Sequence, residues 1–557
     1  MTETAESSQS VELALGHPRF ADADLADLAA RDGDLAAWRA AYARHGVRAP
    51  AHVSGDFAVV LDTPAGGRFL AVDRFAIRTL CYRQQGEQLQ AAPRADQFGA
   101  TELDPQAIFD YLYFHVIPSP RTIFRDVFRL PPAHYALFEN GRLTVAPWWQ
   151  PAFEESRNAS FADLREEFLA LVRDAVARRI GDGPIGCYLS GGTDSSTVSG
   201  MLTRITGRPA ETYSIGFDVP GYDEMEYARI AVRHFGTHQH EYYITPEDLV
   251  AGMPKVAASY DQPFGNSSAV PAYYCALRAK EDGIGHLLAG DGGDELFGGN
   301  ARYAKQRVFG LYDQVPALLR EAILEPAFAD STAFDRVPLL KKGASYVRQA
   351  RVPMPDRMQT YNLLLRMGLD EVFTADFRAR FDAAEPERHQ RDTWSACPGN
   401  ASLVNKMLAY DWRYTLAEND LPKVVGSASL AGIDVGFPFL DDRILDFSLK
   451  LPTNYKLKGL KLRWFFKEAL RGFLPDEIIT KKKHGFGLPF GPWAVKHAAL
   501  NALAADSLHG LADRGIIRRE FIDTLLKEHL PAHPGFYGEL VWIMTMLEQW
   551  LRVRPTR

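Results

Sequence analysis

The feature that most restricts the fold is a glycine-containing loop between a short apolar run and a helix. The apolar run covers residues 185–189, and the loop is Ser190-Gly191-Gly192-Thr193-Asp194-Ser195-Ser196. Two adjacent glycines let the backbone turn tightly and approach a ligand closely. Successive N–H groups at the start of a helix, aided by the helix dipole, bind phosphate oxygens. The pattern predicts a phosphate-binding loop at a sheet edge; the alternative is a Gly-Gly turn capped by Asp and Ser.

The residue types in this loop narrow the chemistry. It is not a Walker loop, because the Gly-Lys-Ser/Thr of that motif is missing. Asp194 would repel a bare phosphate, so its presence indicates a bridging Mg²⁺. The hydroxyl groups of Ser190, Ser195 and Ser196 would add hydrogen-bond donors. The loop resembles that of the pyrophosphatase class of ATP enzymes, which implies cleavage between the α- and β-phosphates.

Strands and helices alternate around this loop. Such alternation with short connections indicates a parallel sheet covered on both faces, with ligands beyond the carboxyl ends of the strands. Residues after about 310 are predicted to be mostly helical. The region before residue 150 is predicted to be rich in strands, with a helix over 25–42 that Gly33 breaks. The predicted strands are 53–62, 68–73, 134–138, 185–189, 211–217, 240–244 and 287–289, and the helices after the loop are 195–202, 224–235, 246–260 and 269–280.

A second loop, rich in carboxylates, follows the predicted strand 287–289. Its sequence is Gly290-Asp291-Gly292-Gly293-Asp294-Glu295-Leu296-Phe297-Gly298-Gly299. Three carboxylates this close together are costly unless a cation or ligand pairs them. An EF-hand is excluded, because the alternating ligands and closing glutamate are missing. Both loops follow strands, so we expect them at the same edge of the sheet; the alternative for this one is a solvated turn.

Together, the two loops resemble the synthetase domain of the asparagine synthetase family, which includes β-lactam and carbapenam synthetases and lasso-peptide cyclases. The resemblance covers about residues 160–500. It implies, for residues 155–557, a doubly wound parallel-sheet ATP-pyrophosphatase domain with a helical C-terminal region. Further segments that carry it are Ser214-Ile215-Gly216-Phe217, Asp261-Gln262-Pro263, Phe437-Pro438-Phe439-Leu440-Asp441 and Lys483-His484-Gly485-Phe486-Gly487-Leu488-Pro489.

The resemblance also implies roles for individual residues. It implies ATP and Mg²⁺ as cofactors, with Asp194 and Asp294 as metal ligands. Lys483 is implied to be catalytic, stabilising charge on the phosphate and tetrahedral oxygens. Asp291 is implied to lie near the reacting acyl group. The implied nucleotide-binding residues are Leu189, Ser190, Gly191, Gly192, Asp194, Ser195, Ser196, Ser214, Ile215, Gly216 and Gly290.

Residues 1–150 resemble the glutaminase domain of the same family, a class II glutamine amidotransferase with an Ntn-type α+β sandwich. The resemblance rests on segments that include 55–58, 73–78 and 118–124. Such a glutaminase needs a cysteine at position 2, exposed by removal of Met1, and here the residue is Thr2. The Cys-Gly-Ile opening and the Asn-Gly-Glu segment are also absent. We therefore expect a scaffold domain that has lost its nucleophile.

The substrate end of the site departs from the asparagine synthetase pattern. Where the family reads Lys-Val-Asp-Arg, this chain has Lys423-Val424-Val425-Gly426, and a charged segment is replaced by Asp434-Val435-Gly436-Phe437-Pro438. An altered acyl pocket is expected. Arg302, Tyr303 and Gln306, which follow the second loop, are further candidates for substrate contact.

Three hypotheses follow. The first is an ATP-dependent amide synthetase that activates a carboxylate as an acyl-adenylate and joins it to an amine, by lactam-type or lasso-peptide cyclisation of a specialised substrate. Proximity would then contribute much of the rate. The second is an enzyme that makes asparagine or another primary amide from ammonia, which the close match of the second loop favours. The third is an inactive nucleotide-binding scaffold, which the retained Asp194 and Lys483 disfavour.

Composition limits the partners. With 557 residues and a net charge of −7, the chain has no general basic field, so nucleic acid is not expected. No apolar stretch approaches the ~20 residues of a bilayer span, and a cytoplasmic location is expected. The four cysteines form no CxxC pair, so they are expected to be small buried side chains. The expected partners are a small-molecule or peptide substrate bearing a carboxylate and an amine, and possible biosynthetic proteins or a second copy of the chain.

Overall fold

The first of two structural units covers residues 11–150 and is called the N-terminal half below, although it is the smaller one. It is built around one antiparallel sheet. The computed structural model describes residues 11–155, 158–329, 338–399, 401–481 and 487–554. The order of its strands is β1 (Leu13–Gly16), β4 (Phe57–Asp62), β5 (Arg68–Val72), β9 (His134–Glu139) and β10 (Arg142–Pro147). The elements of this half are β1 Leu13–Gly16, β2 Arg19–Phe20, α1 Ala23–Asp32, α2 Asp34–His45, β3 Val53–Ser54, β4 Phe57–Asp62, β5 Arg68–Val72, β6 Cys81–Gln85, β7 Gln88–Ala92, α3 Pro105–Phe114, β8 Phe128–Arg129, β9 His134–Glu139 and β10 Arg142–Pro147.

Alternating side chains of this sheet form two cores. On one face, Trp38 of α2 packs fully buried against Phe57 and its neighbours on β4 and β5. On the other face, Tyr82 and Leu89 of a small sheet, ordered β7-β6-β8, cover Val60 and its neighbours. Because side chains alternate along a strand, one sheet can bury both faces in this way. The predicted helix break at Gly33 is confirmed, since α1 ends and α2 begins there.

The second half contains a parallel sheet of five strands. Their order is β13 (His238–Ile244), β12 (Glu211–Phe217), β11 (Ile185–Tyr188), β14 (His286–Leu288) and β15 (Asp434–Gly436). Each neighbouring pair is parallel. The predicted strands and helices are confirmed to within a few residues, but the sequence analysis missed β15. The elements are α4 Phe161–Ala177, β11 Ile185–Tyr188, α5 Thr193–Thr206, β12 Glu211–Phe217, α6 Met225–Phe235, β13 His238–Ile244, α7 Pro246–Ser259, α8 Ala269–Glu281, β14 His286–Leu288 and β15 Asp434–Gly436.

Between β14 and β15, and after β15, the chain is almost entirely helical, as predicted. The helices are α9 Gly293–Phe297, α10 Ala301–Gly310, α11 Ala317–Leu319, α12 Pro338–Ala350, α13 Leu363–Met367, α14 Leu369–Val372, α15 Ala375–Arg378, α16 Glu385–Ala396, α17 Leu403–Asp411, α18 Leu421–Leu430, α19 Asp442–Lys450, α20 Thr453–Lys456, α21 Trp464–Ala469, α22 Asp476–Thr480, α23 Phe490–Lys496, α24 Ala498–Asp513, α25 Arg519–Thr524, α26 Leu530–Ala532 and α27 Pro534–Arg552; a hairpin is formed by β16 Leu457–Lys458 and β17 Lys461–Leu462. None of the helices in the described ranges has the length and apolarity that a bilayer crossing requires.

Helix α3 ties the two halves together. Its buried face shares a core with α7, α24 and α27 rather than with the N-terminal sheet. The hydroxyl of Tyr111 on α3 donates to the carbonyl of Ile543 on α27, at 2.9 Å. The segment around α3 therefore belongs structurally to the second half, although it lies within residues 1–150.

A buried carboxylate joins the two halves at the opposite edge of the parallel sheet. Asp56 is 1% exposed and accepts hydrogen bonds from Arg179 Nη1 at 2.9 Å and Arg78 Nε at 3.0 Å. Arg78 also reaches Asp434 at the start of β15, at 2.8 Å. Burial opposes the charge of Asp56, but His17, Arg179 and Arg78 outweigh it and hold the pKa well below the usual range. This network fixes the orientation of the N-terminal sheet on the second half.

Replacing Asp56 by Asn should loosen this junction. Two buried guanidinium groups would lose their anionic partner, a change that costs about 3 kcal/mol in comparable buried pairs. We expect the melting temperature to fall by roughly 3–5 °C and proteolysis between the halves to accelerate. Because folding lowers the pKa of Asp56, the difference should be complete above about pH 4 and shrink as the pH falls below it. The control Asp27→Asn changes an exposed carboxylate on α1 and should change little; equal effects of the two would contradict the assignment.

Candidate functional site

Strand order brings the two predicted loops together. β11 pairs with β12 on one side and with β14 on the other, so the order of the sheet reverses at β11. Cys187 of β11 lies opposite Leu288 of β14, and both strands end within one residue of this pair. Ligands of open α/β sheets bind at such a reversal, beyond the carboxyl ends of the strands. The prediction that both loops lie at the same edge is confirmed.

The first loop has the local geometry of a phosphate-binding turn. Gly191 has φ +70°, and a Cβ there would lie 2.3 Å from the Ala228 nitrogen, so no larger residue fits. The Ser190 N–H donates to Ser195 Oγ at 3.1 Å, which closes the turn onto the first turn of α5. The first N–H groups of a helix have no intrahelical partners and are available to an anion.

Most of the predicted nucleotide-binding residues line one cleft. The described residues of this cleft enclose a volume of about 1270 Å³. Gly191, Ser196, Ser214 and Gly216 are not among its lining residues. The predicted residues that do line it are Leu189, Ser190, Gly192, Asp194, Ser195, Ile215, Gly290, Asp291 and Asp294.

Two of the predicted serines act behind the cleft wall. Ser214 donates from Oγ to the carbonyl of Leu189 at 2.7 Å, so its side chain holds the strand that precedes the loop. Ser196 is 0% exposed. Its side chain is not among those that line the cleft, and its hydroxyl has no hydrogen-bond partner among the described atoms; its role as a phosphate donor stays a prediction.

The two predicted metal ligands meet at one guanidinium group. Arg463 Nη1 lies 2.7 Å from Asp194 Oδ2 and 2.6 Å from Asp294 Oδ1. Its second terminal nitrogen donates to Asp194 as well. Burial opposes the charge of Arg463, but Asp194 and Asp294 outweigh it and raise its pKa. The two aspartates thus converge, as predicted, but on a cation that the sequence analysis missed.

Asp291, the first carboxylate of the acidic loop, is paired with a different cation. Asp291 Oδ1 lies 3.4 Å from Lys423 Nζ, which also contacts Asp420 at 3.0 Å. Burial raises the pKa of Asp291, while Lys423 opposes the rise. Burial disfavours the Lys423 charge, but Asp420 and Asp291 outweigh it and raise the lysine pKa. A partly buried acid–lysine pair therefore lies at the end of the cleft where the acyl group is expected.

The helix before Lys423 contains an irregular stretch that lines the same end. Residues Trp412–Asp420 form a π-helix between α17 and α18, and such stretches are frequent at functional sites. Asn419 accepts a hydrogen bond from Asn266 Nδ2 at 2.8 Å, and both line the cleft. Sequence reasoning missed Asn419 and Asp420, because only the path of the helix brings them to the sheet edge.

Additional cations line the phosphate end of the cleft. Lys467 lies one turn after Arg463, and burial, followed by the nearby Arg463 charge, lowers its pKa. Lys481 pairs with Glu224 at 3.0 Å. Lys483, the predicted catalytic lysine, lies outside the described residues, as does Thr2. The basic side chains between 458 and 471 were the one sequence signal for Arg463, and such a run is more often a solvated surface.

The N-terminal half contributes to the cleft wall. His115, which ends α3 with φ +65°, lines the cleft beside Glu539 of α27. The His115 Nδ1 to Glu539 Oε1 distance is 3.4 Å, and burial lowers the pKa of His115 while Glu539 opposes the fall. The His115 carbonyl accepts the Gly265 N–H at 2.9 Å. This contact fixes the loop that carries Asn266.

Three other candidates do not face the cleft. Tyr303 is 0% exposed and donates to Asp411, which Arg302 also contacts at 2.7 Å. Gln306 is buried in the same helix. Tyr303 and Gln306 are buried in the core, whereas Arg302 is partly exposed and paired with Asp411; the structure therefore does not place these three candidates on the cleft.

A reversal point with a phosphate-type turn and two converging aspartates defines a nucleotide-binding enzyme of the doubly wound α/β class. The family model described as "Asparagine synthase" matches residues 167–552, and one described as "Glutamine amidotransferase domain" matches residues 29–149. The chain belongs to the asparagine synthase family. It is therefore an ATP-dependent, amide-forming ligase, and the family resemblance seen in the sequence is confirmed.

Similar proteins span most of the chain. Asparagine synthetase (glutamine-hydrolyzing) 1 of Bacillus subtilis is 24% identical over 495 residues, covering 86% of this chain and 74% of that protein. Amidase chry2 of Gibberella zeae is 24% identical over 511 residues, covering 83% and 74%. Asparagine synthetase (glutamine-hydrolyzing) 3 of Bacillus subtilis is 23% identical over 501 residues, covering 83% and 73%. Proteins named for more than one amide chemistry thus share this architecture.

Because the two loops are in close contact, adding one methyl group between them should weaken nucleotide binding. In Gly290→Ala, the new Cβ would lie 2.7 Å from the Ser195 nitrogen and push the loops apart. Overpacking costs of about 1–3 kcal/mol correspond to a loss of affinity of roughly 5- to 150-fold. Calorimetric titration with Mg²⁺ and α,β-methylene-ATP should show this loss. Gly285→Ala, just before the other end of β14, meets nothing within 4 Å and should keep wild-type affinity; a loss in both variants would point to β14 rather than to the loop contact.

Proposed function

We propose that the protein activates a substrate carboxylate with ATP as an acyl-adenylate, releases pyrophosphate, and transfers the acyl group to an amine. The observation that carries this proposal is the convergence of Asp194 and Asp294 at the end of β11 and β14, with Asp291 in the same loop. The phosphate-type turn supports a triphosphate at this edge. The partly buried Asp291–Lys423 pair supports a polar acyl group beside it.

The donor set near the turn fits Mg²⁺. That ion prefers oxygen ligands, typically one or two carboxylates completed by water and phosphate oxygens. Asp194 and Asp294 would hold it, and it would neutralise charge on the departing pyrophosphate. Arg463 and Lys467 add positive charge on the same side. Lys483 is proposed to act there as well, on the strength of the family resemblance.

The N-terminal half is proposed to be a scaffold without glutaminase activity. All four cysteines of the chain are buried. Burial raises the pKa of each thiol, to about 12 for Cys81 and about 11 for Cys397. A nucleophilic cysteine needs access and a low pKa, so none of these four is suited to attack glutamine. The amine then comes from free ammonia or from the substrate itself.

The size and lining of the cleft fit a site for two substrates. Small-molecule sites typically enclose ~300–1,000 Å³, and this cleft, at about 1270 Å³, exceeds that range. The Asn266–Asn419 contact and the His115–Glu539 pair provide polar groups along the wall. We propose lactam-type or peptide cyclisation, in which one molecule supplies both carboxylate and amine.

A second candidate is synthesis of asparagine or another primary amide from ammonia. It is favoured by the paired Asp291, which the resemblance places near the acyl group, and by relatives that are named asparagine synthetases. The two candidates share the adenylation step and differ only in the nucleophile.

The product of the first step tests the proposal. Purified protein with Mg²⁺ and ATP labelled at the α-phosphate would be given aspartate with ammonia, aspartate with glutamine, or peptides that carry both an amine and a side-chain carboxylate. We expect labelled AMP and pyrophosphate, with a product lighter than the peptide by one water for cyclisation. ADP as the sole nucleotide product would refute the proposal. Asparagine formed from glutamine as efficiently as from ammonia would refute the scaffold assignment.

Removing one of the converging carboxylates should stop the first step. With whichever substrate gives AMP, Asp294→Asn should reduce the rate of AMP formation at least a hundredfold, a barrier increase of roughly 2.7 kcal/mol, because the pyrophosphate charge loses a metal ligand. The control Asp370→Asn changes an aspartate that is 92% exposed and should leave the rate unchanged. Unimpaired AMP formation by Asp294→Asn would exclude this carboxylate from the reaction.

A further inference from the structure

Arg463 occupies the position where the two proposed metal ligands converge. It is 5% exposed, and its Nη1 also donates to Thr193 Oγ1 at 3.1 Å. The guanidinium carbon lies 3.9 Å from the ring centre of Phe466, so the guanidinium group stacks over that ring. Burying an aspartate pair without a counter-charge would cost several kcal/mol, so Arg463 is what makes the geometry of Asp194 and Asp294 stable.

The backbone around Arg463 fastens this cation to the acidic loop. Arg463 immediately precedes α21 as its N-cap, with φ +52°, and its N–H donates to the carbonyl of Gly298 at 3.2 Å. A Cβ on Gly299 would lie 1.7 Å from Asp294 Oδ1 and 2.7 Å from Arg463 Cδ. The loop glycine therefore leaves just enough room for the carboxylate and the guanidinium stem. Backbone and side-chain contacts therefore fix the position of Arg463, which is not a mobile surface residue.

The guanidinium group has donor capacity that the aspartates do not use. Arginine carries five N–H donors in a planar fork that suits phosphate oxygens, and Arg463 Nε is buried without a hydrogen-bond partner among the described atoms. An arginine keeps its proton under all ordinary conditions. A divalent cation that binds both aspartates would therefore repel the guanidinium, which must take another anionic partner nearby.

We propose that Arg463 and a divalent metal compete for Asp194 and Asp294, and that Arg463 transfers to the pyrophosphate part of a metal-bound nucleoside triphosphate. The inference rests on the proposed function only for the identity of that nucleotide. Arg463 then stabilises the two aspartates before binding and becomes a phosphate ligand afterwards. Removing it should have opposite effects on the metal alone and on the metal–nucleotide complex, a pattern that a purely structural residue would not produce.

The test measures both affinities in the full-length protein. Mn²⁺ replaces Mg²⁺ because its electron paramagnetic resonance signal reports free ion, and α,β-methylene-ATP replaces ATP because its α–β bridge is not cleaved. In Arg463→Met we expect Mn²⁺ alone to bind at least fivefold more tightly, since two uncompensated carboxylates are left. We expect the Mn²⁺–α,β-methylene-ATP complex to bind at least tenfold more weakly, since a charge-assisted contact to phosphate is lost.

Two further variants keep the result interpretable. Arg463→Lys retains the charge without the fork, so its affinity for Mn²⁺ alone should stay near wild type while nucleotide binding weakens. Arg173→Met removes an equal charge that is 63% exposed and should change neither affinity. If Arg463→Met is too unstable to titrate, its melting temperature should rise towards the wild-type value when Mn²⁺ is added; no rise would overturn the competition.

The outcomes separate this inference from the proposed function. Failure of the wild-type protein to bind the nucleotide complex would refute the nucleotide site itself. Equal nucleotide affinity in wild type and Arg463→Met would overturn only the transfer of Arg463 to phosphate. Unchanged or weaker binding of Mn²⁺ alone in Arg463→Met would overturn the competition for the aspartates.

Discussion

The pairing of β11 with β14 is the constraint on which the site depends. Each strand ends in a loop that can do little alone, since the first offers mainly N–H groups and the second mainly carboxylates. Parallel pairing aligns the carboxyl ends of the two strands. Because Cys187 pairs with Leu288, both loops begin at the same level along the strands. The glycines then allow backbone contact between the loops. The combination of anion-binding N–H groups and cation-binding carboxylates follows directly from this arrangement.

The C-terminal helical region completes the site electrostatically. The acidic loop places its carboxylates in largely buried positions at the cleft, and two of them are each paired with a cation from beyond residue 400: Arg463 for Asp294 and Lys423 for Asp291. Charges this buried are tolerable only when paired and hydrogen-bonded. The helices after β14 are therefore not an accessory layer, because without them the sheet edge would carry uncompensated negative charge.

The N-terminal half has a different relation to the chemistry. Its sheet is held by the Asp56 network at the edge of the parallel sheet away from the cleft, while α3 extends into the shared core and ends at His115 in the cleft wall. A domain that resembles a glutaminase thus shapes the substrate cleft of its neighbour through one helix. This explains why it can remain essential to the fold whatever becomes of glutamine hydrolysis.

The sequence by itself determined the local elements and the chemistry of the two loops, because strand length, glycine pairs and capping residues act over a few positions. It predicted four of the five parallel strands, the Gly33 break and the convergence of Asp194 with Asp294. The tertiary structure alone decided what those aspartates meet. Arg463, Lys423 and Asn419 are distant in sequence from the two loops, so neither the basic run around Arg463 nor the position of Lys423 in the substrate-end segment showed which aspartate each would meet. Likewise, only the path of α10 shows that Tyr303 faces the core. Long-range packing sets these choices, since it decides which side of a helix meets the cleft.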